Sequence, residues 1–347
     1  MKKICFSSLS ILLCFLYFSV NCLACTGFAV YSKKTYYGLN FDYTTSDIQF
    51  SINSSKDNGS LVFSMDLFTD GKYYPCASMN NKGLFGTCQS LYPEEQLVKK
   101  ENANQMDMYE LFNKIPFQTA SVNDIRNLIS TKNMICQNRY IHNLYADSNK
   151  DAMILESVKN QTYETNITGN SIVMTNFFSA ELQNNTIDKI TGTGTDRYKK
   201  AVDYIDTHID SFSYEDGINV LKNTVQSGSY STQCSMLFDP EKSEIYIVLK
   251  RDFSRVFKVS LNNKTIETVE GFDQSWSSTI DEKGINIKDL LAIKNTTVQP
   301  VINENATQIA AQNDKKINNY VVGILLVSGV ILVVVVVIQL KKRKRVD

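Results

Sequence analysis

The chain has only two histidines, His142 and His208, and neither stands at a spacing that would ligate a metal or activate a hydroxyl nucleophile. Nucleophilic chemistry must therefore find its base elsewhere. Cys25 can supply one. It follows Lys2 and Lys3, an apolar run from Leu9 to Val20, and the small residue Ala24, the layout of a secretory signal peptide cleaved after residue 24. Cleavage makes Cys25 the first residue, and a free α-amine, with an ordinary pKa of about 8, can take the proton of its own thiol. The thiolate then attacks an amide carbonyl, the amine returns the proton to the leaving nitrogen, and water cleaves the thioester.

The two ends of the chain set the compartment. The apolar run near the start is about 12 residues, short for a hydrocarbon core of about 30 Å, so it reads as a signal and not as an anchor. Tyr320 to Leu340 has no charged residue and is followed at once by Lys341, Lys342, Arg343, Lys344 and Arg345. That predicts a transmembrane helix over 320–340 with a basic cytoplasmic tail over 341–347. The protein is expected to be single-pass, with its folded part extracellular or lumenal.

Removing signal and tail leaves Cys25 to Asn319 with 29 basic and 35 acidic residues, a balance that argues against nucleic-acid binding. Five cysteines remain after residue 24. Four of them, Cys76, Cys88, Cys136 and Cys234, could pair in any of three ways or stay as buried thiols, and Cys25 is the odd one out. Eight Asn-x-Ser/Thr sequons permit glycosylation without requiring it.

To position Cys25 the chain must build a domain, and residues 25–273 are long enough for a substantial core. Alternating apolar residues predict strands over Cys25–Tyr31, Thr35–Asp42, Ser60–Phe68, Leu84–Gln89, Cys234–Phe238, Glu244–Leu249 and Arg255–Leu261. Helical spacing predicts helices over Val122–Ile129 behind Ser121, Asp196–Ile209, and Tyr214–Val225 behind Ser213. Strands, then helices, then strands point to an α+β fold of stacked sheets with helices outside. Residues 274–319, polar and poor in aromatics, read as a juxtamembrane stalk.

Cys25-Thr26-Gly27-Phe28-Ala29-Val30 followed by Gly38-Leu39-Asn40-Phe41-Asp42 resembles the opening hairpin of the choloylglycine hydrolases. Those include conjugated bile salt hydrolases and penicillin V acylases, with N-acylethanolamine acid amidase as a relative. Further along, Met79-Asn80-Asn81-Lys82-Gly83-Leu84 is similar to the family's Met-Asn-Glu-Lys-Gly-Leu, Met174-Thr175-Asn176 to its Leu-Thr-Asn, and Asp196-Arg197-Tyr198 to its Ser-Arg-Phe.

The resemblance implies a four-layer αββα N-terminal-nucleophile hydrolase sandwich. It also implies a linear, non-peptide N-acyl amide as substrate and no metal or organic cofactor. Carried over, it makes Cys25 nucleophile and base, Asp42 the acid holding the terminal amine, Asn176 the side-chain oxyanion donor and Arg197 the basic partner. Asn81, Gln89 and Ser90 fall near the second oxyanion donor, a backbone N–H at Gln89 or Ser90.

One position departs from the pattern: the family's arginine before Asn-x-Asp is Leu39 here, and leucine cannot lower a thiol pKa. Two alternatives follow from the residues. A non-catalytic or acyl-transferring ectodomain would account for Leu39, and acylation of Cys25 as a lipoprotein would block its amine.

Overall fold

The computed structural model describes residues 25–44, 47–55, 59–95, 97–100 and 102–293. The signal peptide, the span at 320–340 and the basic tail expected from the sequence lie outside the described residues. Among the described residues no helix is long and apolar enough to cross a membrane.

The elements run in the order β1 (Thr26–Tyr31), β2 (Thr35–Asp42), β3 (Ile48–Ser54), β4 (Leu61–Thr69), β5 (Lys72–Asn80), β6 (Phe85–Ser90), β7 (Gln105–Asp107), α1 (Met108–Gln118), α2 (Val122–Ile129), β8 (Asn133–Ile135), β9 (Ile141–Ala146), β10 (Ala152–Val158), β11 (Gln161–Asn166) and β12 (Ser171–Met174). They continue as α3 (Thr195–His208), α4 (Tyr214–Asn223), β13 (Thr232–Asp239), β14 (Glu244–Leu249), β15 (Val256–Ser260), β16 (Thr265–Glu270), β17 (Ser277–Thr279), β18 (Ile285–Asn286) and α5 (Ile287–Leu291).

Two antiparallel eight-stranded sheets result, ordered β12-β1-β2-β13-β14-β15-β16-β17 and β11-β10-β9-β6-β5-β4-β3-β18. β1 and β2 are buried along their whole length, as strands covered on both faces must be. Their inward side chains, including Ala29, Tyr37 and Leu39, meet Phe50, Phe63, Met65 and Phe85 of the other sheet. The outward Phe28, Val30 and Tyr36 pack with Ala201 and Ile205 of α3 and Val220 and Leu221 of α4. On the far side, Leu111, Phe112 and Ile115 of α1 and Val122 and Ile125 of α2 cover Tyr145, Met153 and Leu155. Helices, sheet, sheet, helices make four layers.

Local chemistry starts the helices where the sequence indicates. Ser121 accepts from Asp124 N–H, and Ser213 and Asp216 form a reciprocal capping box. α1 escapes the sequence reading although Met108, Leu111, Phe112 and Ile115 have helical spacing, because Pro116 sits inside its last turn. All five described cysteines are free thiols.

The stalk expected from residue 274 starts later than its composition suggests. β17 extends the first sheet beside β16, and β18 extends the second beside β3. Ile280, Ile287 and Leu290 are buried in the core between the sheets. Three apolar side chains in a polar stretch leave a weak average, yet each fills an interior position. The domain thus continues to Ile293, and the rest of the stalk lies outside the described residues.

A chain ending at residue 273 loses those three side chains, each worth about 1.5–3 kcal/mol of burial against a total stability of about 5–15 kcal/mol. Thermal unfolding should show a cooperative transition for a chain ending at 293 and none, or one far lower, for a chain ending at 273. Equal melting temperatures would return the segment to the stalk.

Candidate active site

Four residues separated by up to 172 positions meet at one end of the sandwich. Cys25 precedes β1, Asp42 closes β2, Asn176 follows β12, and Arg197 lies in the first turn of α3. All four are buried. In the full chain Cys25 N is a peptide nitrogen, at the place an α-amine would take if the chain began at Cys25. It donates to Asn176 Oδ1 at 2.8 Å.

Arg197 binds the group together. Its Nη1 donates to Cys25 O and, at 2.8 Å, to Thr26 Oγ1, while Nη2 donates to Asn176 Oδ1 at 3.0 Å. Nη1 also lies 3.8 Å from Asp42 Oδ2. Gly194 makes room for this arrangement. It starts α3 at φ +86°, and a Cβ there would fall 2.5 Å from Arg197 Nη2 and 2.9 Å from Thr175 Cβ.

Asn176 is fixed from both sides by the segment after β6. Its Nδ2 donates to Ser90 O at 2.7 Å, and its carbonyl accepts from Tyr92 N–H at 2.7 Å. Glu156 on β10 steadies the turn that follows by accepting from Ser179 N–H and Ala180 N–H at 2.9 and 3.0 Å.

The Asp42 carboxylate does not touch Cys25 N. Its Oδ1 accepts from Thr232, its Oδ2 has no hydrogen-bond partner and lies 3.8 Å from Arg197 Nη1, and its backbone carbonyl lies 4.0 Å from Cys25 Sγ. The Cys25 backbone nitrogen is held by Asn176. Burial pushes Asp42 up to about 7, against the opposing pull of Arg197 and the Thr232 hydroxyl. Burial and the Asp42 charge also push the Cys25 thiol far up, with only the Asp42 backbone contact and Arg197 lowering it.

A cavity opens beside Cys25, Asp42 and Asn176, walled by Phe41, Tyr43, Leu67, Tyr74, Tyr109 and Ile141, with Gln89, Ser90 and Arg139 among its polar lining. Of the second-donor candidates, Gln89 and Ser90 line it. Asn81 does not. It holds the turn after β5, its Oδ1 accepting from Leu61 N–H at 3.1 Å. The neighbouring Asn80 staples that turn to the end of α1 through Pro116 O and Thr119 O. Leu39 sits fully buried in the inter-sheet core, so no cation occupies its position. Among the described residues no cluster of three metal-ligating side chains occurs.

A carboxyl raised in the folded state lets that state keep a proton the unfolded chain has released, so its contribution to stability falls as pH rises from about 4 to about 7. Asp42→Asn in the uncleaved chain should flatten this decline in denaturant titrations across the window; an unchanged slope would place the ionisation elsewhere. Arg197→Met, which leaves Asp42 without its buried partner, should lower unfolding free energy by about 3–5 kcal/mol. A loss under about 1 kcal/mol would mean the guanidinium is not the tie described.

No family model matches the sequence, and a search of curated proteins gives no match. Solved structures do match. A cysteine-to-alanine variant of the conjugated bile acid hydrolase from Clostridium perfringens aligns over 74% of this chain and 97% of its own, at 14% identity and a TM-score of 0.55. An arginine-to-leucine variant of that enzyme aligns over 80% of this chain and 100% of its own, at 14% identity and a TM-score of 0.51. The penicillin V acylase of Agrobacterium tumefaciens aligns over 71% and 91%, at 12% identity and a TM-score of 0.54. The described chain therefore has the fold of the conjugated bile acid hydrolase and the penicillin V acylase, an α+β sandwich of two sheets between helices.

Proposed function

We propose that this chain is a member of the choloylglycine hydrolase family that hydrolyses a linear, non-peptide amide of an N-acyl substrate through a thioester on Cys25. It works once the signal peptide has been removed, held at the membrane by the helix expected at 320–340 with its site outside the cytosol. The observation that carries the reading is the convergence of Cys25, Asn176 and Arg197 beside a pocket of largely apolar lining.

In this mechanism the α-amine of Cys25 takes the thiol proton and Sγ attacks the amide carbonyl. Asn176 Nδ2 spends one N–H on Ser90 O and has a second for the oxyanion. The backbone N–H at Ser90 is the second donor. Asn176 Oδ1 and Arg197 keep the amine and the first peptide in place, which suits a base that must not rotate away. The protonated amine then gives its proton to the leaving nitrogen, and water, deprotonated by the same amine, releases the acid and the thiol.

The charge balance favours activation by cleavage. The uncleaved chain holds Cys25 as a buried, high-pKa thiol. A new α-ammonium next to it adds the positive charge that Leu39 does not, which favours the thiolate.

The protein secreted through its own pathway should begin at Cys25 by mass spectrometry and take up an electrophilic acyl-amide probe on that residue. The uncleaved chain and Cys25→Ala should take up none. An acylated or extended terminus would remove the base and sink the amidase reading. Asn176→Ala should lower kcat about a hundredfold to a thousandfold with the N-terminus still processed; a smaller effect would move the oxyanion donor to another group.

A further inference from the structure

Behind the pocket runs a row of three buried polar side chains on neighbouring strands. Gln89 on β6 stands directly opposite His142 on β9, and His142 directly opposite Glu156 on β10. Opposed residues on antiparallel strands share a face, with Cβ atoms about 4.5–5.5 Å apart, so the three form one continuous line. None is more than 2% exposed.

One end of the row is satisfied and the other is not. Glu156 takes His142 Nδ1 at 2.9 Å together with two backbone N–H groups. Among the described residues His142 Nε2 and both amide atoms of Gln89 have no hydrogen-bond partner. Gln89 lines the cavity that holds Cys25. Its amide also packs against Gly27, where a Cβ would lie 2.7 Å from Gln89 Nε2. A carboxamide buried without partners is a costly choice at a place where leucine or methionine would pack.

We infer that the Gln89 carboxamide is a polar subsite for the acyl half of the substrate, selecting acyl groups that carry a hydroxyl or amide close to the scissile carbonyl over plain alkyl chains. The inference rests on the amidase reading of the site. With Nδ1–H of His142 donating to Glu156, Nε2 is left to accept one N–H of Gln89 once that side chain turns toward it. The Gln89 carbonyl oxygen and second N–H then face the pocket side by side. A hydroxyl or a secondary amide, each both donor and acceptor, complements that pair; an alkyl chain leaves both unpaired, a mismatch that such sites reject strongly. The group belongs to the acyl half because the cavity that Gln89 lines also carries Phe41 and Leu67, apolar side chains of the inter-sheet core, and Gln89 is nearly sealed, whereas the amine half must leave toward solvent.

The test offers the full chain, processed to Cys25, a set of hexanoyl amides of one chromogenic amine: the plain chain and versions with a hydroxyl on the second, third or fourth carbon. At least one hydroxylated member should exceed the plain chain in kcat/KM by about tenfold or more, the effect of a buried hydrogen-bonding pair. Gln89→Leu, and Gln89→Met should the leucine variant fold poorly, should erase that preference. His142 is a positioning residue, so His142→Leu should erase it too, while His142→Gln, which keeps an acceptor, should restore part of it. A wild-type preference for the plain chain, or a preference untouched by both Gln89 substitutions, overturns the inference. Intact-protein mass spectrometry separates the two levels. No acyl group on Cys25 from any member would sink the amidase reading and the subsite with it, whereas equal acylation by all members would sink the subsite alone.

Discussion

The site depends on one buried guanidinium. Arg197 carries five donors in a rigid fork, and here they reach the carbonyl of Cys25, the hydroxyl of Thr26 and the side-chain oxygen of Asn176, with Asp42 as counter-charge. These groups come from the start of β1, the segment after β12 and the end of β2. A lysine could neutralise Asp42 but could not span the others. A buried charge with one partner removed is strongly unfavourable, so the arrangement stands or falls together.

That constraint explains where the site lies. The space between the sheets is filled by apolar and aromatic side chains, and polar groups placed there without partners would weaken it. The candidate site residues instead gather where strands stop: before β1, at the end of β2, at the end of β6 and after β12. Strand ends leave backbone groups free to serve Asn176, as Ser90 O and Tyr92 N–H do. The sheets supply rigidity and the termini supply chemistry.

Much of this was legible in the sequence because it is written in short runs. The β1–β2 hairpin, α2, α3, α4 and β13 to β15 follow local periodicity and caps, and the segments bearing Cys25, Asp42, Asn176 and Arg197 stand out as motifs. Asn81 stands apart from the cavity, because a motif marks a conformation as readily as a site; the turn after β5 is held by Asn80 and Asn81. His142 and Glu156 were invisible as a pair, since only the β9–β10 register sets them opposite each other. The Gln89 side chain was hidden in the same way, its meaning arising from Gly27 across the sheet interface and His142 beside it. The stalk boundary failed because average composition hides three interior side chains.

Leu39 is best understood through the charge count of the site. With leucine in the inter-sheet core, the cation against Asp42 in the uncleaved chain is Arg197, and the balance leaves Asp42 raised to about 7 and the Cys25 thiol held protonated. A site in this state has a carboxyl ready to ionise and a thiol that is not yet a nucleophile. Under the proposed cleavage before Cys25, an α-ammonium next to Asn176 Oδ1 would shift both groups in the same direction, toward carboxylate and thiolate. A second permanent cation at position 39 would have moved the thiol before cleavage. In the proposed mechanism its absence would make the chemistry depend more steeply on a free terminus at Cys25, with no thiolate favoured before that terminus exists.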